Sequence, residues 1–285
     1  MITYKKCTEV DLDIIYKAFQ VGFSDYMIKL DMSQEVFIKR FFGPEGNELK
    51  HSFIALDEER PIGVILGGIK VYEGVKTLRC GTLCIHPDYR GHGISKSLFA
   101  LHKETGVENG CKQLFLEVIV GNDRAIQLYK GLGYEKIYDL SYFSHSEPSS
   151  ISTNLGTAYT IKEMDTETIG LLQPYIEDIH INWQNDFDYI KKLEGVNHYG
   201  VYGDTGLIGT MSAHTNGKIY FLWIHPAHRS KGIGKTLLSH VANLSNPAEL
   251  NISFPNNASL EGFLKHLGFK RDKISQYEMY LTPIK

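Results

Sequence analysis

Several things are scarce in this chain, and each scarcity removes a class of function. No apolar run is long enough to span a membrane, and the first residues, MITYKKCTEVDLDIIYKAF, hold none of signal-peptide length. Neither sign of charge dominates: 33 acidic and 30 basic side chains leave a net charge of −3. That balance offers no electrostatic footprint for nucleic acid or an anionic membrane. There are only four cysteines, Cys7, Cys80, Cys84 and Cys111, and no pair has C-x-x-C spacing. Neither a zinc knuckle nor a thioredoxin-type redox pair is thereby suggested, and free buried thiols in a reducing compartment are expected. His225 and His228 stand in HPAH without a third ligand, so no metal site is expected. The expected location is cytoplasmic.

What is present is a repeat. HPDYRGHGISKSL, His86–Leu98, is echoed without a gap by HPAHRSKGIGKTL, His225–Leu237. The chain of 285 residues is too long for one typical core and suits two. In each half a strand and helix lead into short strands, the quoted loop, a long helix, a strand, a short helix and a last strand. Thr8 is expected to cap the first helix, and a helix is expected over 166–179. The polar stretch SEPSSISTNLGT reads as a linker. The expected organisation is a first domain over 1–145, a linker over 146–157 and a second domain over 158–285. An interval as long as that from His86 to His225 marks a duplicated domain, not a solenoid.

Each loop lies between a strand and a helix and carries Arg-x-x-Gly-x-small: Arg90, Gly93, Ser95 and Arg229, Gly232, Gly234. A helix N-terminus has unpaired N–H groups and partial positive charge, and small residues let the backbone approach an anion, which points to phosphate. Three ligands compete. A dinucleotide needs G-x-G-x-x-G, which neither copy has. A P-loop needs glycine at 229, where arginine stands. The third reading is the pyrophosphate of coenzyme A.

The linked stretches LCIHPDYRGHGISKSLF and LFLEVIVGNDRAIQLYKGLGY resemble the GNAT superfamily of acyl-CoA-dependent N-acetyltransferases. The resemblance rests on L-x-[IV]-x-P-x-x-[RQ]-x-x-G-x-[GA] opening a helix, then L-E-V on the next strand. N-x-x-A-x-x-L-Y-x-x-x-G-[FY] completes it. The first half carries the full set from Leu83 to Tyr134; the second carries the loop and a blurred remainder. One position departs from the pattern, Ser95, where the family has glycine or alanine. The resemblance implies two tandem α/β domains, each a mixed, mostly antiparallel twisted sheet flanked by helices.

It also implies acetyl-CoA as donor and a small-molecule or peptide amine as acceptor. Cys84 and Ile85 would run beside the pantetheine. Arg90, Gly91, His92, Gly93, Ile94, Ser95 and Lys96 would wrap the pyrophosphate, and Asn122 would hold the pantetheine or cap its helix. A backbone N–H near Ile85 would face the oxyanion. Tyr129 would protonate the leaving thiolate, and Glu117 would serve as base, an arrangement that resembles the ribosomal-protein N-terminal acetyltransferases. Phe23, Asp25 and Tyr26 are candidates for the acceptor side. In the second copy Arg229, Lys231, Gly232, Gly234 and Lys235 would form the loop. Its asparagines allow two alignments. Asn257 on Asn122 puts Leu264 at the tyrosine and Ile252 at the glutamate; Asn256 puts Phe263 and Asn251 there. Either way both side chains are lost, and the first domain is expected to catalyse. The rival readings are a non-catalytic acyl-CoA-binding or interaction protein, and catalysis by the second domain.

Overall fold

The computed structural model describes residues 1–151, 159–172, 175–176, 179–204 and 206–282. Two compact units emerge. One comprises Met1–Ile137 and the C-terminal stretch from Tyr277; the other comprises Tyr138–Gln276. Sequence reading put the division in 146–157, of which 152–157 lie outside the described residues. The units part earlier, and the last strand returns to the first unit.

The first unit is built from β1 (Ile2–Lys6), α1 (Leu12–Gly22), α2 (Gln34–Phe41), β2 (Phe53–Asp57), β3 (Arg60–Tyr72) and β4 (Val75–Ile85). α3 (Ile94–Glu108), β5 (Gln113–Ile119) and α4 (Asp123–Gly131) follow. α1 starts later than expected: Cys7–Glu9 form a 3-10 turn and Asp11 takes the N-cap position. The turn is tied down because Cys7 is fully buried and its N–H donates to the Ser52 carbonyl at 2.9 Å. β1, β2, β3 and β4 pair antiparallel in sequence order, and β4 pairs parallel with β5. Alternation along the strands sends Ile54, Leu56 and Val64 to the α1–α2 face and Phe53, Ala55 and Ile65 to the α3–α4 face.

β6 (Glu135–His145) follows α4 in sequence but pairs antiparallel with a strand of the second unit's sheet, β11 (Leu250–Pro255), from Leu140↔Pro255 to His145↔Leu250. The final strand, β12 (Lys270–Leu281), makes the reciprocal move: its end lies beside β5 in the strand order, and Met279 is fully buried in the first unit's core.

The second unit adds β7 (Thr160–Met164), α5 (Thr166–Gly170), α6 (Phe187–Ile190), β8 (Val196–Gly203), β9 (Gly206–His214) and β10 (Lys218–Ile224). α7 (Ile233–Ser245) and α8 (Ala258–His266) complete it. The helix expected over 166–179 is described only as α5; residues 173–174 and 177–178 lie outside the described set. The strand order β6-β11-β10-β9-β8-β7 leaves β10–β11 as the parallel pair, and the other neighbours pair antiparallel.

The duplication extends to a defect in each sheet. β4 shifts register against β3 between Leu66↔Thr82 and Gly67↔Cys80, which leaves Gly81 as an extra residue. β10 shifts against β9 between Ile219 and Phe221, which leaves Tyr220. Gly81 and Tyr220 are separated by the same interval as the two loops (220 − 81 = 225 − 86). A bulge of this kind bends a strand and ends regular pairing. Accordingly, among the described residues, parallel pairing stops at Cys80↔Leu116 in one unit and at Ile219↔Ile252 in the other. Past those points β4 and β5, and likewise β10 and β11, run on without each other's hydrogen bonds. Each unit's candidate site opens there.

Candidate active site

At the end of β4 the chain turns through Pro87–Tyr89 into the loop and α3. Gly93 is the α3 N-cap with φ 80°, and Gly232 caps α7 with φ 81°. This left-handed conformation, which disfavours a side chain, explains why both loops carry glycine at that place. Gly91 has φ 84°, and the second copy holds the same bend with Ser230 at φ 61°. A Cβ at Gly93 or Gly232 would meet nothing within 4 Å, so both helix N-termini open to solvent. His92, Lys96 and Lys231 are exposed, Ser95 and Lys235 are half-buried, and Ile94 is buried.

The loop arginines are architectural in both units. Arg90 Nε donates to the Ile85 carbonyl at 3.0 Å, and Arg229 Nε donates to the Ile224 carbonyl at 3.1 Å. Arg90 goes further: its two terminal nitrogens grip Asp25 at 2.5 and 2.6 Å, and one also donates to Gly22 O at 3.1 Å. Its guanidinium therefore joins the end of β4 to the end of α1. Hydrogen bonding from Arg90 holds the Asp25 carboxyl below its ordinary range. This carboxylate, a candidate for the acceptor side, thus has Arg90 as its counter-charge.

Tyr26 and Asn122 come together. Asn122 caps α4 by accepting from Ala125 N at 3.3 Å; burial raises the pKa of the Tyr26 phenol, and the nearby Asn122 side chain offsets part of that rise. Tyr26 meets Phe23 edge to face at 4.9 Å. Tyr129, on the buried face of α4, packs edge-on against Phe99 at 5.5 Å and beside Tyr134. Burial pushes its phenol well above the usual pKa, so it keeps its proton at neutral pH. Cys84 points to α1, its thiol 3.6 Å from Ala18 O, and a Cβ on Gly22 would lie 2.4 Å from that sulfur. Burial raises the thiol's pKa, which suits packing and disfavours a nucleophile.

Glu117 stands in a network that sequence reading missed. Arg79, buried on β4, donates to Glu117 Oε2 from Nη2 at 2.6 Å and from Nε at 3.1 Å; its Nη1 reaches Glu45 Oε2 at 2.7 Å. Burial by itself lowers the Arg79 pKa, but the charges of Glu117 and Glu45 outweigh it and raise it. Among the described residues, Glu117 Oε1 is buried and accepts no hydrogen bond. An arginine inside the apolar strand KTLRCGTLCIH was the available signal; Glu45, in a loop, gave none.

Register also resolves the ambiguous alignment. Leu116 pairs with Cys80, and Ile252 pairs with the corresponding Ile219, so the strand offset is 136 (252 − 116). Ser253, not Ile252 or Asn251, therefore takes the place of Glu117. Asn257 caps α8 as Asn122 caps α4, and Phe269 N donates to Leu264 O as Tyr134 N does to Tyr129 O. The helix offset is 135 (257 − 122), and Leu264 takes the place of Tyr129. One residue fewer between strand and helix accounts for the difference.

The Acetyltransferase (GNAT) family profile matches residues 13–134, and an Acetyltransferase (GNAT) domain profile matches residues 194–271. The chain belongs to the GNAT acetyltransferase family. It is an N-acetyltransferase with two GNAT domains. N-alpha-acetyltransferase 30 of Saccharomyces cerevisiae is 29% identical over 138 residues, covering 43% of this chain and 77% of that protein. Its namesake in Schizosaccharomyces pombe is 32% identical over 119 residues, covering 39% and 77%. In fold, this GNAT chain superposes on a tandem GNAT protein from the clavulanic acid biosynthesis pathway with a TM-score of 0.71. That match covers 100% of this chain and 99% of the other at 14% identity. Among the described residues, no helix of this acetyltransferase is long and apolar enough to cross a membrane.

Proposed function

We propose that the first unit transfers an acetyl group from acetyl-CoA to a primary amine by direct attack, and that the second unit has lost transfer. The observation that carries this reading is Tyr129, a buried, protonated phenol in the first unit whose counterpart is Leu264. The residues suit the coenzyme. A glycine-capped, open helix N-terminus can take its phosphates, and the β4 backbone from Thr82 to Ile85, past the last parallel pair, can take its amide arm. When bound, acetyl-CoA supplies an activated acetyl thioester.

The chain's own groups meet the three demands of the reaction. Backbone N–H near Ile85 donates to the carbonyl oxygen as negative charge grows there. Tyr129 Oη holds a proton for the departing sulfur. Glu117, oriented by Arg79, presents its unpartnered Oε1 to take the proton that the attacking amine sheds, directly or through one water. Arg90 holds the loop in shape by gripping Asp25 and two backbone carbonyls, and Phe23 and Tyr26 form the acceptor's wall. The two yeast relatives are named for α-amine acetylation, so peptide N-termini are the first acceptors to test. A screen of peptide and small amines for release of CoA thiol tests the proposal. Tyr129→Phe should cut turnover about 10²-fold or more, the usual worth of a positioned acid, while Leu264→Met leaves it intact. Equal turnover in parent and Tyr129→Phe refutes the acid role.

A further inference from the structure

The first unit buries more negative charge than its arginine needs. Arg79 lies between two carboxylates. Its Nε and Nη2 hold Glu117 Oε2, while Nη1 donates to Glu45 Oε2 at 2.7 Å and to the Glu45 carbonyl at 3.3 Å. The guanidinium is 5% exposed and each carboxylate 4%. Arg40 approaches the other Glu45 oxygen at 3.6 Å, but its side chain is 51% exposed, so water screens it. Burial first, then the charge of Glu278 and, more weakly, that of Glu117, push the Tyr72 phenol up, so β12 adds a further carboxylate to this neighbourhood. Glu117 alone would neutralise Arg79. A second buried carboxylate costs desolvation, and a neutral amide at position 45 could accept the same hydrogen bond from Nη1 without that cost.

The chain is shaped to bring Glu45 here. It lies in the loop after α2, which rests directly on the sheet. Glu48 N donates to the Gly67 carbonyl at 2.8 Å, and Asn47 Nδ2 donates to the Phe41 carbonyl at 2.8 Å. A Cβ at Gly68 would lie 1.9 Å from Gly46 O, and one at Gly81, the bulge residue, 2.2 Å from Asn47 Oδ1. Side chains at those positions would push the loop, and Glu45 with it, off β4. The second unit is built differently. Lys218 stands at the place of Arg79 and lies over the Tyr220 ring at 4.7 Å. At the place of Glu117, the Ser253 carbonyl accepts from Asn185 at 2.7 Å.

Charge counting gives the surplus a purpose. Arg79, Glu45 and ionised Glu117 together carry one net negative charge. When the attacking nitrogen bonds the acetyl carbon, its proton passes to Glu117 Oε1 and the nitrogen keeps the electron pair of the broken N–H bond. Glu117 is then a neutral acid, and the three residues carry no net charge. With a neutral side chain at 45, the same step would leave the guanidinium buried without a counter-charge. The hydrogen bond to Nη1 also fixes the guanidinium plane, so Arg79 meets Oε2 and leaves Oε1 to the acceptor.

We propose that Glu45 is a positioning residue for the transfer: acting through Arg79, it orients Glu117 and offsets the cation that would otherwise oppose proton uptake at Oε1. This rests on the reading of Glu117 as the base.

The test is a double-mutant cycle on the intact chain. It is read as thiol release from acetyl-CoA with the peptide amine that reacts fastest in the screen. Glu45→Gln keeps the shape and the hydrogen bond and removes the charge. It should lower kcat about tenfold and leave the KM for acetyl-CoA within about twofold. Glu45→Asp keeps the charge and should stay within about threefold of the parent kcat. Glu117→Gln should lower kcat about 10²-fold. Adding Glu45→Gln to it should cost less than about another twofold, because Glu45 then has no base to act through. A merely structural role predicts the same tenfold loss on both backgrounds, and that additivity overturns the proposal, as does parent-like kcat in Glu45→Gln. If Glu45→Gln does not fold, Glu45→Asp decides: a tenfold loss of kcat in a folded Glu45→Asp overturns the proposal. Parent-like turnover in Glu117→Gln defeats the base reading, and Glu45 falls with it. An additive cycle over a slow Glu117→Gln defeats Glu45 alone.

Discussion

Acid should destabilise the first unit through one histidine that sequence reading passed over. His102 sits on the buried face of α3, fully buried, and neither ring nitrogen has a hydrogen-bond partner among the described residues. A Cβ added at Gly67 would lie 2.9 Å from its ring, which shows how tightly β3 covers it. Burial lowers its pKa from 6.5 to about 3, and His51 contributes in the same direction. The folded state therefore resists protonation while the unfolded chain accepts it. Well above pH 6.5 the ring is neutral in both states and stability does not depend on its titration. As pH falls from 6.5 towards 3, the unfolded state gains a proton that the folded state refuses, and stability is lost. At about 1.4 kcal/mol per unit, the gap sets a ceiling of about 5 kcal/mol; roughly 2 kcal/mol of it is lost between pH 7.5 and 5. Urea unfolding followed by circular dichroism at those two pH values measures this loss. His102→Leu keeps an apolar filling and removes the titration, so it should flatten the pH dependence by about 2 kcal/mol over that interval. Equal loss between pH 7.5 and 5 in parent and His102→Leu would refute the reasoning.

Arg79→Met leaves Glu117 and Glu45 buried without their shared cation and should destabilise the chain by about 3–5 kcal/mol in urea titration; a loss below about 1 kcal/mol, the range of exposed pairs, would show that the network is not buried in solution. Arg79→Lys keeps the charge but not the fork, so it should retain most of that stability while turnover falls, because Glu117 loses its two-point grip. Removing the chain from Tyr277 onward strips Met279 from the first unit's core and leaves β5 as an open edge. The truncated chain should aggregate or lose acetyl transfer, and full activity in a monodisperse truncation would contradict the strand exchange. Asp25→Asn removes a charge from the Arg90 clamp and should raise the KM for acetyl-CoA more than it lowers kcat, as steady-state kinetics would show.

Much of the site was legible in linear order because it is local. The left-handed glycines, the turn through His86-Pro87, the asparagine cap and the tyrosine of α4 all depend on neighbours within one loop or one helical turn. A second occurrence of the loop, at His225 after His86, then made the duplication plain. Long-range pairing was not legible. Nothing near Tyr138 announces that β6 hydrogen-bonds to β11, since an alternating strand fits any sheet edge of matching polarity. Ser253 emerged as the counterpart of Glu117 only through the partners of Ile219 and Cys80, because a one-residue deletion between strand and helix shifts their offsets separately.

The order of residues by itself determined the family, the two glycine-capped loops and the loss of tyrosine and glutamate from the second copy. The tertiary structure alone decided what those losses were replaced with. Arg79 and Glu117 are neighbours because parallel strands bring them together, and Asn185 meets Ser253 from a distant part of the sequence. A charge or an amide acquires its chemistry from what surrounds it when water is removed, and that surrounding is assembled from distant parts of the chain.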